Sequence, residues 1–412
     1  MQSRQHNICS FGYTTPHAAP PRTLFNFSQK VMDVIVIGCG ASGVAALRRL
    51  HEAGVKALGL EAADRIGGRI NSVPFGDGTV DLGAAWCQGE KDNIVYDMVK
   101  DMDVLGRSEP DHRWYVASDG SLIPNEKAGL VENTLFAAVD SADRNTTASL
   151  SGYVRQVANT IDVLNEEPSL KNSFVEWFER YNHVNGQKDI KTGKSLRGLE
   201  EFTPWAFMMN WKGKGYKTIL DILLKRYPHP SEEIPVEILL KKEVESIKWK
   251  SAQSDVSTPL VHVNCRDGSL YAARSVIVTL SIGVLKERHQ QLFNPPLPVE
   301  KVNAIQNLHM CVLGKIYIEF EEPWWPKSPA NFTLLWRPED KEKFTKEEIW
   351  ITEVFNLNTV DYQPKVLLAW TYGEGAEQME QLSLEEVKAG MAKLLDTVLG
   401  KQFNITPIKS IV

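Results

Sequence analysis

The hydrophobic and polar positions near the start of the chain change from one period to another. A short run of β-branched apolar residues, Val34–Ile37, predicts a buried parallel strand. Apolar residues then recur at helical spacing in Val44, Leu47 and Leu50, and a second apolar run ends at Glu61. This order of strand, helix and strand predicts a βαβ unit.

Further along, the pattern predicts both helices and hairpins. Helical spacing recurs in four stretches, at residues 93–104, 129–181, 299–310 and 384–399. Hairpins are predicted over residues 111–124 and 260–279, each with an Asp-Gly turn. Val276–Leu280 has the pattern of a buried strand. Cys311–Phe320 alternates as a strand, and by spacing alone this places Lys315 on a solvated face.

The turn of the βαβ unit carries a glycine motif, Gly38-x-Gly40-x-x-Gly43. Gly38 permits the tight turn, Gly40 lets the backbone approach a pyrophosphate, and Gly43 lets helix and sheet pack closely. The pyrophosphate would rest on free N–H groups at the helix start, beside Ser42. Glu61, at the end of the second strand, can accept hydrogen bonds from ribose hydroxyls. The combination predicts a dinucleotide site rather than a plain βαβ turn.

A second glycine pair follows in Asp64–Arg69, which reads DRIGGR. Arg65 and Arg69, on either side of Gly68, can add phosphate contacts; the alternative is two solvated surface charges. The stretch resembles the glycine doublet of FAD-dependent amine oxidases, and Val80–Trp86 (VDLGAAW) resembles the D-L-G-A-x-W segment of that family.

The resemblance extends to about residue 400. It is carried by four further segments, Trp211–Tyr216 (WKGKGY), Val276–Lys286 (VIVTLSIGVLK), Lys315–Phe320 (KIYIEF) and Leu367–Ala376 (LLAWTYGEGA). Among FAD-dependent amine oxidases the chain is most similar to polyamine oxidases, of the spermine, spermidine or N-acetylpolyamine type. The implied fold class is α/β, with a Rossmann-type (GR2-like) FAD-binding domain interleaved with an α+β substrate domain.

The resemblance also implies domain limits. Residues 1–32 contain no Asp or Glu; we interpret them as a disordered or misassigned leader, and an organellar transit peptide is the alternative. The family continues beyond the position of Val412 with a last flavin-contacting segment, so we expect that segment to be missing. The implied ranges are 33–109 and 211–297 for the FAD-binding domain, and 110–210 and 298–412 for the substrate-binding domain.

The family motifs assign the site residues. A family lysine on the strand that faces the flavin matches Lys315, which implies a catalytic role, and Trp370 would form part of a substrate tunnel. Gln88 stands where animal polyamine oxidases usually carry a histidine, and because glutamine cannot titrate, either substrate handling has shifted or activity has weakened. The implied FAD contacts are Gly38, Gly40, Ser42, Gly43, Glu61, Arg65, Gly68, Arg69, Gly83, Ala84, Trp86 and Val244.

The implied reaction is oxidation of a polyamine C–N bond by FAD with O₂ as acceptor, which gives an aldehyde, an amine and H₂O₂. Lys315 would act through a water beside the flavin. Three alternatives remain. The first is an oxidase for another amine, and the second is an inactive flavin-fold paralogue that acts as a binding protein, which Gln88 favours. The third is an NAD(P)-dependent dehydrogenase, against which the glycine pair before Arg69 argues.

Composition narrows the picture only slightly. The net charge of −6 argues against a nucleic-acid surface and is compatible with a cationic substrate. No apolar run is long enough to span a bilayer, so no membrane partner is predicted. Five dispersed cysteines lack metal-ligand spacing and suit a reducing compartment, so we predict no metal and a cytoplasmic or peroxisomal location. The oligomeric state stays open.

Overall fold

The computed structural model describes residues 31–109, 111–142, 149–184, 208–249, 260–308, 310 and 312–412. The first 30 residues of the predicted leader and Cys311 therefore lie outside the described residues. The strands are β1 Met32–Ile37, β2 Ala57–Leu60, β3 Ser72–Phe75, β4 Gly78–Asp81, β5 Cys87–Gln88, β6 Gly106–Arg107, β7 His112–Ala117, β8 Leu122–Ile123, β9 Met208–Asn210, β10 Glu237–Leu239, β11 Val244–Lys248, β12 Val261–Cys265, β13 Leu270–Val278, β14 Phe293–Asn294, β15 Leu313–Phe320, β16 Ala330–Leu335, β17 Asn356–Val360, β18 Gln363–Tyr372 and β19 Ile408–Ile411. The helices are α1 Ala41–Glu52, α2 Ile94–Val99, α3 Asn125–Asp140, α4 Leu150–Ala158, α5 Pro168–Val184, α6 Thr218–Leu223, α7 Ile282–Leu292, α8 Val299–Asn307, α9 Pro338–Lys341, α10 Gly373–Met379 and α11 Leu384–Leu394.

The first large sheet contains the predicted βαβ unit. Its strand order is β10-β2-β1-β13-β12-β11-β14, and β10, β2, β1 and β13 run parallel to one another. Both faces of β1 are covered, because Val36 packs with α1 and α6 while Ile35 and Ile37 pack with β11, β12 and Leu292. This is the arrangement expected of a Rossmann-type half, and the predicted α/β class is confirmed.

The second large sheet has the order β19-β15-β18-β17-β16-β7-β8 and is antiparallel except where β16 meets β7. Side chains alternate between two cores along β15. Ile316 and Ile318 pack with α11, whereas Tyr317 packs with Trp370 of β18 and with Phe174 of α5. Lys315 stands on the same strand face as Tyr317, and the strand face that spacing alone had predicted to be solvated is therefore largely covered.

Most predicted elements are confirmed, with two corrections. The hairpins form as β7–β8 and β12–β13, and residues 129–181 form the three helices α3, α4 and α5. The helix predicted over residues 93–104 begins as expected, where Asn93 accepts hydrogen bonds from the N–H groups of Val95 and Tyr96, but it ends at Val99. A turn follows, in which the N–H of Met102 donates to the Val99 carbonyl at 2.9 Å.

The second correction concerns Val276–Leu280, which is only partly buried. In β13, residues Leu270–Ala273 pair with β12, whereas Ser275–Val278 pair with β1. Within the described part of the chain, the carboxyl half of β13 thus has a strand partner on one edge only, which leaves part of its surface accessible.

The two sheets draw on interleaved parts of the chain. Strands of the first sheet come from residues 32–60 and 237–294, and strands of the second from residues 112–123 and 313–411. The domain limits given above stay a prediction.

Candidate functional site

The glycine turn between β1 and α1 forms an open cradle. Gly38 has a φ of +90°, and a Cβ atom on Gly43 would lie 1.9 Å from the carbonyl oxygen of Gly38, so only glycine fits there. The cap of α1 at Gly40 provides no side-chain acceptor, and the first turn, which carries the exposed Ser42, has no acidic residue. The free N–H groups and the positive end of the helix dipole therefore suit an anionic group such as a pyrophosphate.

Glu61 fastens this turn to the end of β2. Its buried carboxylate accepts a hydrogen bond from the N–H of Cys39 at 2.7 Å and from the N–H of Ala63 at 2.9 Å. The sequence pattern placed Glu61 at a strand end but gave no sign of these two contacts. Each carboxylate oxygen can accept a further hydrogen bond, so the predicted contact to ribose hydroxyls is compatible with this geometry.

The two arginines of the second glycine pair have different surroundings. Arg65 donates to main-chain carbonyl groups of its own loop, those of Ile66, Gly68 and Ile70. Arg69 is exposed, and its side chain has no hydrogen bond within the described residues. The N–H of Gly67 donates to the Cys39 carbonyl at 2.8 Å, so this loop lies directly against the glycine turn. Arg65 thus stabilises the loop, while the phosphate contacts of both arginines stay predictions.

Val244 is brought near Glu61 by the chain crossing between β10 and β11, although β2 and β11 stand towards opposite ends of the strand order. The crossing from β10 to β11 is held by two main-chain contacts, from Lys241 N–H to the Ala63 carbonyl at 2.8 Å and from Lys242 N–H to the Glu61 carbonyl at 2.7 Å. Val244 follows this crossing and is buried in the same core as Leu60. The structure therefore brings Val244 close to the strand end that carries Glu61.

The segment Gly83–Trp86 connects the glycine-rich loops with the second sheet. A Cβ atom on Gly83 would lie 1.8 Å from the carbonyl oxygen of Arg69, and the same carbonyl accepts the N–H of Ala84 at 3.1 Å. At the other end, the ring of Trp86 stacks on that of Trp370, with ring centroids 5.9 Å apart and an interplanar angle of 27°. This segment thus joins the glycine-rich loops to β18.

Lys315 lies at this junction. It pairs with Trp370 across β15 and β18, and its Nζ donates to the main-chain carbonyl of Asp81 at 3.0 Å and to that of Gly83. The same nitrogen is 5.5 Å from the ring centroid of Trp86 and 5.2 Å from that of Trp370. Two carbonyls and two indole rings therefore surround one ammonium group, and we call these four groups the lysine cage.

Burial lowers the pKa of Lys315 from 10.5 to about 8, and the carboxylate of Asp81 partly opposes this change. Both protonation states are therefore accessible near neutral to mildly alkaline pH. A neutral amine has two N–H donors and one lone pair. The two donors match the two cage carbonyls, so deprotonation frees a lone pair without breaking either hydrogen bond.

The other two predicted catalytic residues are placed differently. The Nε1 of Trp370 donates to Oδ1 of Asn358 at 2.7 Å, which fixes the indole as a wall of the lysine cage. Gln88 lies two residues beyond Trp86 in β5, with an exposed side chain that makes no hydrogen bond to Lys315. Its main-chain carbonyl accepts the side-chain amide of Asn93 at 2.8 Å.

Two neighbours of Lys315, Asp81 and Tyr317, were not predicted as site residues from the sequence. The carbonyl of Asp81 accepts the hydroxyl of Tyr317 at 2.7 Å as well as the amine of Lys315. Burial raises the pKa of Tyr317, so its phenol stays a donor. The alternation along β15 placed Tyr317 on the face of Lys315, which was the available signal; nothing in the pattern pointed to the Asp81 carbonyl.

Comparison with known proteins agrees with this geometry. The model of the family "Flavin containing amine oxidoreductase" matches residues 41–411, and the chain belongs to this family. Among curated proteins it is 26% identical to "Probable polyamine oxidase 5" of Arabidopsis thaliana over 90% of this chain and 77% of the relative. It is also 26% identical to the human "Peroxisomal N(1)-acetyl-spermine/spermidine oxidase" (89% and 78%) and to "Polyamine oxidase 1" of Zea mays (88% and 73%).

The family membership confirms the predicted cofactor and the general reaction. The protein is an FAD-dependent amine oxidoreductase, with a small-molecule amine and O₂ as its reaction partners. The uncapped start of α1 and the close approach of Gly43 to Gly38 fit the pyrophosphate of such a cofactor. In the part of the chain that the structure describes, no helix has the length and apolar character needed to cross a membrane.

Proposed function

We propose that the protein oxidises a C–N bond of a polyamine, namely spermine, spermidine or an acetylated form, to an imine, which water hydrolyses to an aldehyde and an amine while O₂ takes up the two electrons and becomes H₂O₂. The observation that carries the proposal is the lysine cage, in which Trp86 and Trp370 present their faces to the ammonium group of Lys315 beside the glycine-rich loops. Aromatic faces of this kind hold aliphatic ammonium groups. The printed names of the relatives favour polyamines among amines.

The residues that would hold FAD are those of the glycine turn together with Glu61, Gly83 and the Arg69 loop. When bound there, FAD would supply the two-electron redox chemistry that links oxidation of the amine to reduction of O₂. In support of this, the chain provides an uncapped helix end that suits phosphate, a carboxylate at Glu61 with oxygens that could accept ribose hydroxyls, and a close backbone approach at Gly83. Val244 adds a buried strand end beside Glu61.

Lys315 would act as a proton carrier in this site. With its pKa lowered to about 8, its neutral form can direct a lone pair at a water or at a substrate ammonium while both donors remain on the carbonyls of Asp81 and Gly83. The amine must lose a proton before its C–N bond is oxidised. Trp370 would orient the substrate chain, and Gln88 would offer a neutral hydrogen-bonding group nearby.

The test is a substrate panel on FAD-loaded protein. Spermine, spermidine, their N-acetyl forms, a monoamine and a diamine would be offered under anaerobic conditions while loss of the oxidised flavin absorbance is recorded, followed by peroxide detection in air. Flavin reduction by polyamines but not by the monoamine is the expected result. Reduction by the monoamine alone would assign the site to another amine.

A second candidate is an inactive flavin-fold paralogue that binds amines. The exposed, non-titrating Gln88 favours it. Flavin that stays oxidised with every amine, although spermine shifts its absorbance spectrum, would support this candidate against the oxidase.

The domain limits and the cellular location belong to the same proposal. The FAD-binding domain would comprise residues 33–109 and 211–297, and the substrate-binding domain residues 110–210 and 298–412. A cytoplasmic or peroxisomal location suits a polyamine oxidase, and the name of the human relative supports the second compartment.

A further inference from the structure

The main chain of Asp81 holds two side chains of β15. Its carbonyl oxygen accepts Nζ of Lys315 at 3.0 Å and the hydroxyl of Tyr317 at 2.7 Å. Asp81 is the last residue of β4, only two residues before Gly83, whose carbonyl is the other acceptor of Lys315. The position of the Lys315 amine therefore depends on how the peptide group after Asp81 is oriented.

The carboxylate of Asp81 is held from another part of the chain. Its two oxygens accept the N–H of Tyr216 at 3.0 and 3.1 Å, and one of them also accepts the hydroxyl of Ser72. The Ser72 oxygen in turn accepts the N–H of Lys217 at 3.0 Å. Tyr216 and Lys217 lie immediately before α6, whereas Ser72 lies in the neighbouring strand β3, so the carboxylate ties β4 both to β3 and to the start of that helix.

Both ends of one buried residue are thus fixed. The side chain of Asp81 is 9% exposed, and rotation of its peptide group would strain the carboxylate contacts to Tyr216 and Ser72. A misplacement of a reacting group by about 1 Å can lower a rate by roughly a hundredfold. The peptide group after Asp81 is also held through its N–H, which belongs to Leu82 and donates to the Asn71 carbonyl at 2.8 Å. The carboxylate is thus a second restraint on the carbonyl that receives the amine of Lys315, although it makes no hydrogen bond to that amine.

We propose that Asp81 is the positioning residue of Lys315: its carboxylate, held by Ser72 and by the backbone before α6, orients the carbonyl that receives the amine. The proposal deepens the proposed function and rests on it for the catalytic consequence. The orientation of Lys315 in the cage is a separate claim that can be measured without turnover.

The charges around Lys315 give the direction of the expected change. Asp81 on β4 is the charged group that acts on it, and Tyr317 is the titratable group beside it on β15. The neighbours from β18 and from the segment after β4 are the indoles of Trp370 and Trp86 and the Gly83 carbonyl, which do not titrate. Removal of the Asp81 charge should therefore lower the pKa of Lys315 further.

The first readout is acetylation of Lys315 by acetic anhydride as a function of pH, quantified by peptide mass spectrometry. For the wild type the midpoint should lie at about pH 8. Asp81→Asn should shift the midpoint to lower pH, and Ser72→Ala should raise the reactivity of Lys315 because the carbonyl is held less firmly. Ser108→Ala is the matched control, since Ser108 also donates to a carboxylate, that of Asp361 at 2.7 Å, and accepts an amide N–H, that of Asn210 at 3.2 Å.

The second readout is the rate of flavin reduction by spermine. Asp81→Asn and Ser72→Ala should lower this rate by roughly tenfold to a hundredfold, with little change in KM and with FAD retained, whereas Ser108→Ala should leave it unchanged. If none of the amines offered reduces the flavin of the wild type, the proposed function fails, while the acetylation profile still tests the positioning of Lys315. If Asp81→Asn does not fold, Ser72→Ala carries the test. An acetylation profile that is the same in the wild type, Asp81→Asn and Ser72→Ala would overturn the proposal, as would a slower rate without any change in that profile.

Discussion

Replacement of Glu61 by glutamine separates two roles of this side chain. The structure shows its carboxylate accepting the N–H groups of Cys39 and Ala63, and the predicted second role is to accept ribose hydroxyls of FAD. A glutamine side chain has one carbonyl oxygen, so it can replace only one of the two acceptors, and its NH₂ group would face the other N–H. Glu61→Gln therefore removes one charge-assisted hydrogen bond from the glycine turn even when no cofactor is bound.

The expected loss is about 1.5–3 kcal/mol in the free energy of unfolding, the usual value of a hydrogen bond to a charged group. If the ribose contact is also made, FAD affinity should fall by roughly tenfold to a hundredfold, because each 1.4 kcal/mol changes a dissociation constant about tenfold. Denaturant unfolding without FAD measures the first effect, and titration of the apoprotein with FAD measures the second.

Glu52→Gln is the matched control. Glu52 lies at the end of α1 and is paired with Arg48 and Arg49 on the surface, so its replacement should leave both quantities nearly unchanged. A Glu61→Gln protein with wild-type stability would refute the fastening role. A Glu61→Gln protein that is destabilised but binds FAD with unchanged affinity would support the role of Glu61 in holding the glycine turn and would exclude the ribose contact.

Three further predictions follow from the site. Lys315→Met should slow flavin reduction or reoxidation without unfolding the protein, and stopped-flow rates equal to the wild type in both half-reactions would remove Lys315 from the site. Because folding lowers the pKa of Lys315 from 10.5 to about 8, the unfolded chain binds more protons than the folded protein between these two values. The stability of the wild type should therefore rise relative to Lys315→Met as the pH increases through this window, by up to roughly 3 kcal/mol. Paired unfolding curves at pH 7 and pH 10 measure the difference. Gly43→Ala should abolish stoichiometric FAD binding and destabilise the fold, since its Cβ would overlap the Gly38 carbonyl, whereas Gly129→Ala in α3, with no atom within 4 Å of the added carbon, should bind FAD normally; spectra of the purified proteins decide.

The dinucleotide half of the site was predictable because its signal is local. Strand, glycine turn, helix and Glu61 all lie within about 30 residues, and their spacing defines how they pack. The hairpins were predictable for the same reason, since an Asp-Gly turn sets the pairing of its two neighbouring strands. The partial exposure of Val276–Val278 could not be predicted, because it depends on which part of β13 pairs with the distant strand β1 and which part pairs with the nearby strand β12.

The surroundings of Lys315 could not be derived from spacing. Its two carbonyl partners, at Asp81 and Gly83, are separated from it by more than 200 residues along the chain, and alternation along β15 by itself indicated a solvated side chain. Only the resemblance to the family pointed to a role. Arg65 shows the converse, because a charge that the motif offered to phosphate lies on carbonyl groups of its own loop.

The lysine cage also limits how charge can enter the site. Trp86 and Trp370 already face the Lys315 ammonium, and a second cation that approaches the same two rings meets a like charge in a poorly hydrated space. The two positive charges therefore compete for a single place, and binding of one favours loss of a proton by the other. A positively charged amine would lower the pKa of Lys315 as it arrives, and Lys315 would lower the pKa of the amine to the same extent, because the coupling between two bound protons is reciprocal. Because Lys315 has the lower pKa, it would be the first of the two to lose its proton to solvent, and arrival of a cationic amine would itself produce the neutral Lys315 that can accept the proton of that amine.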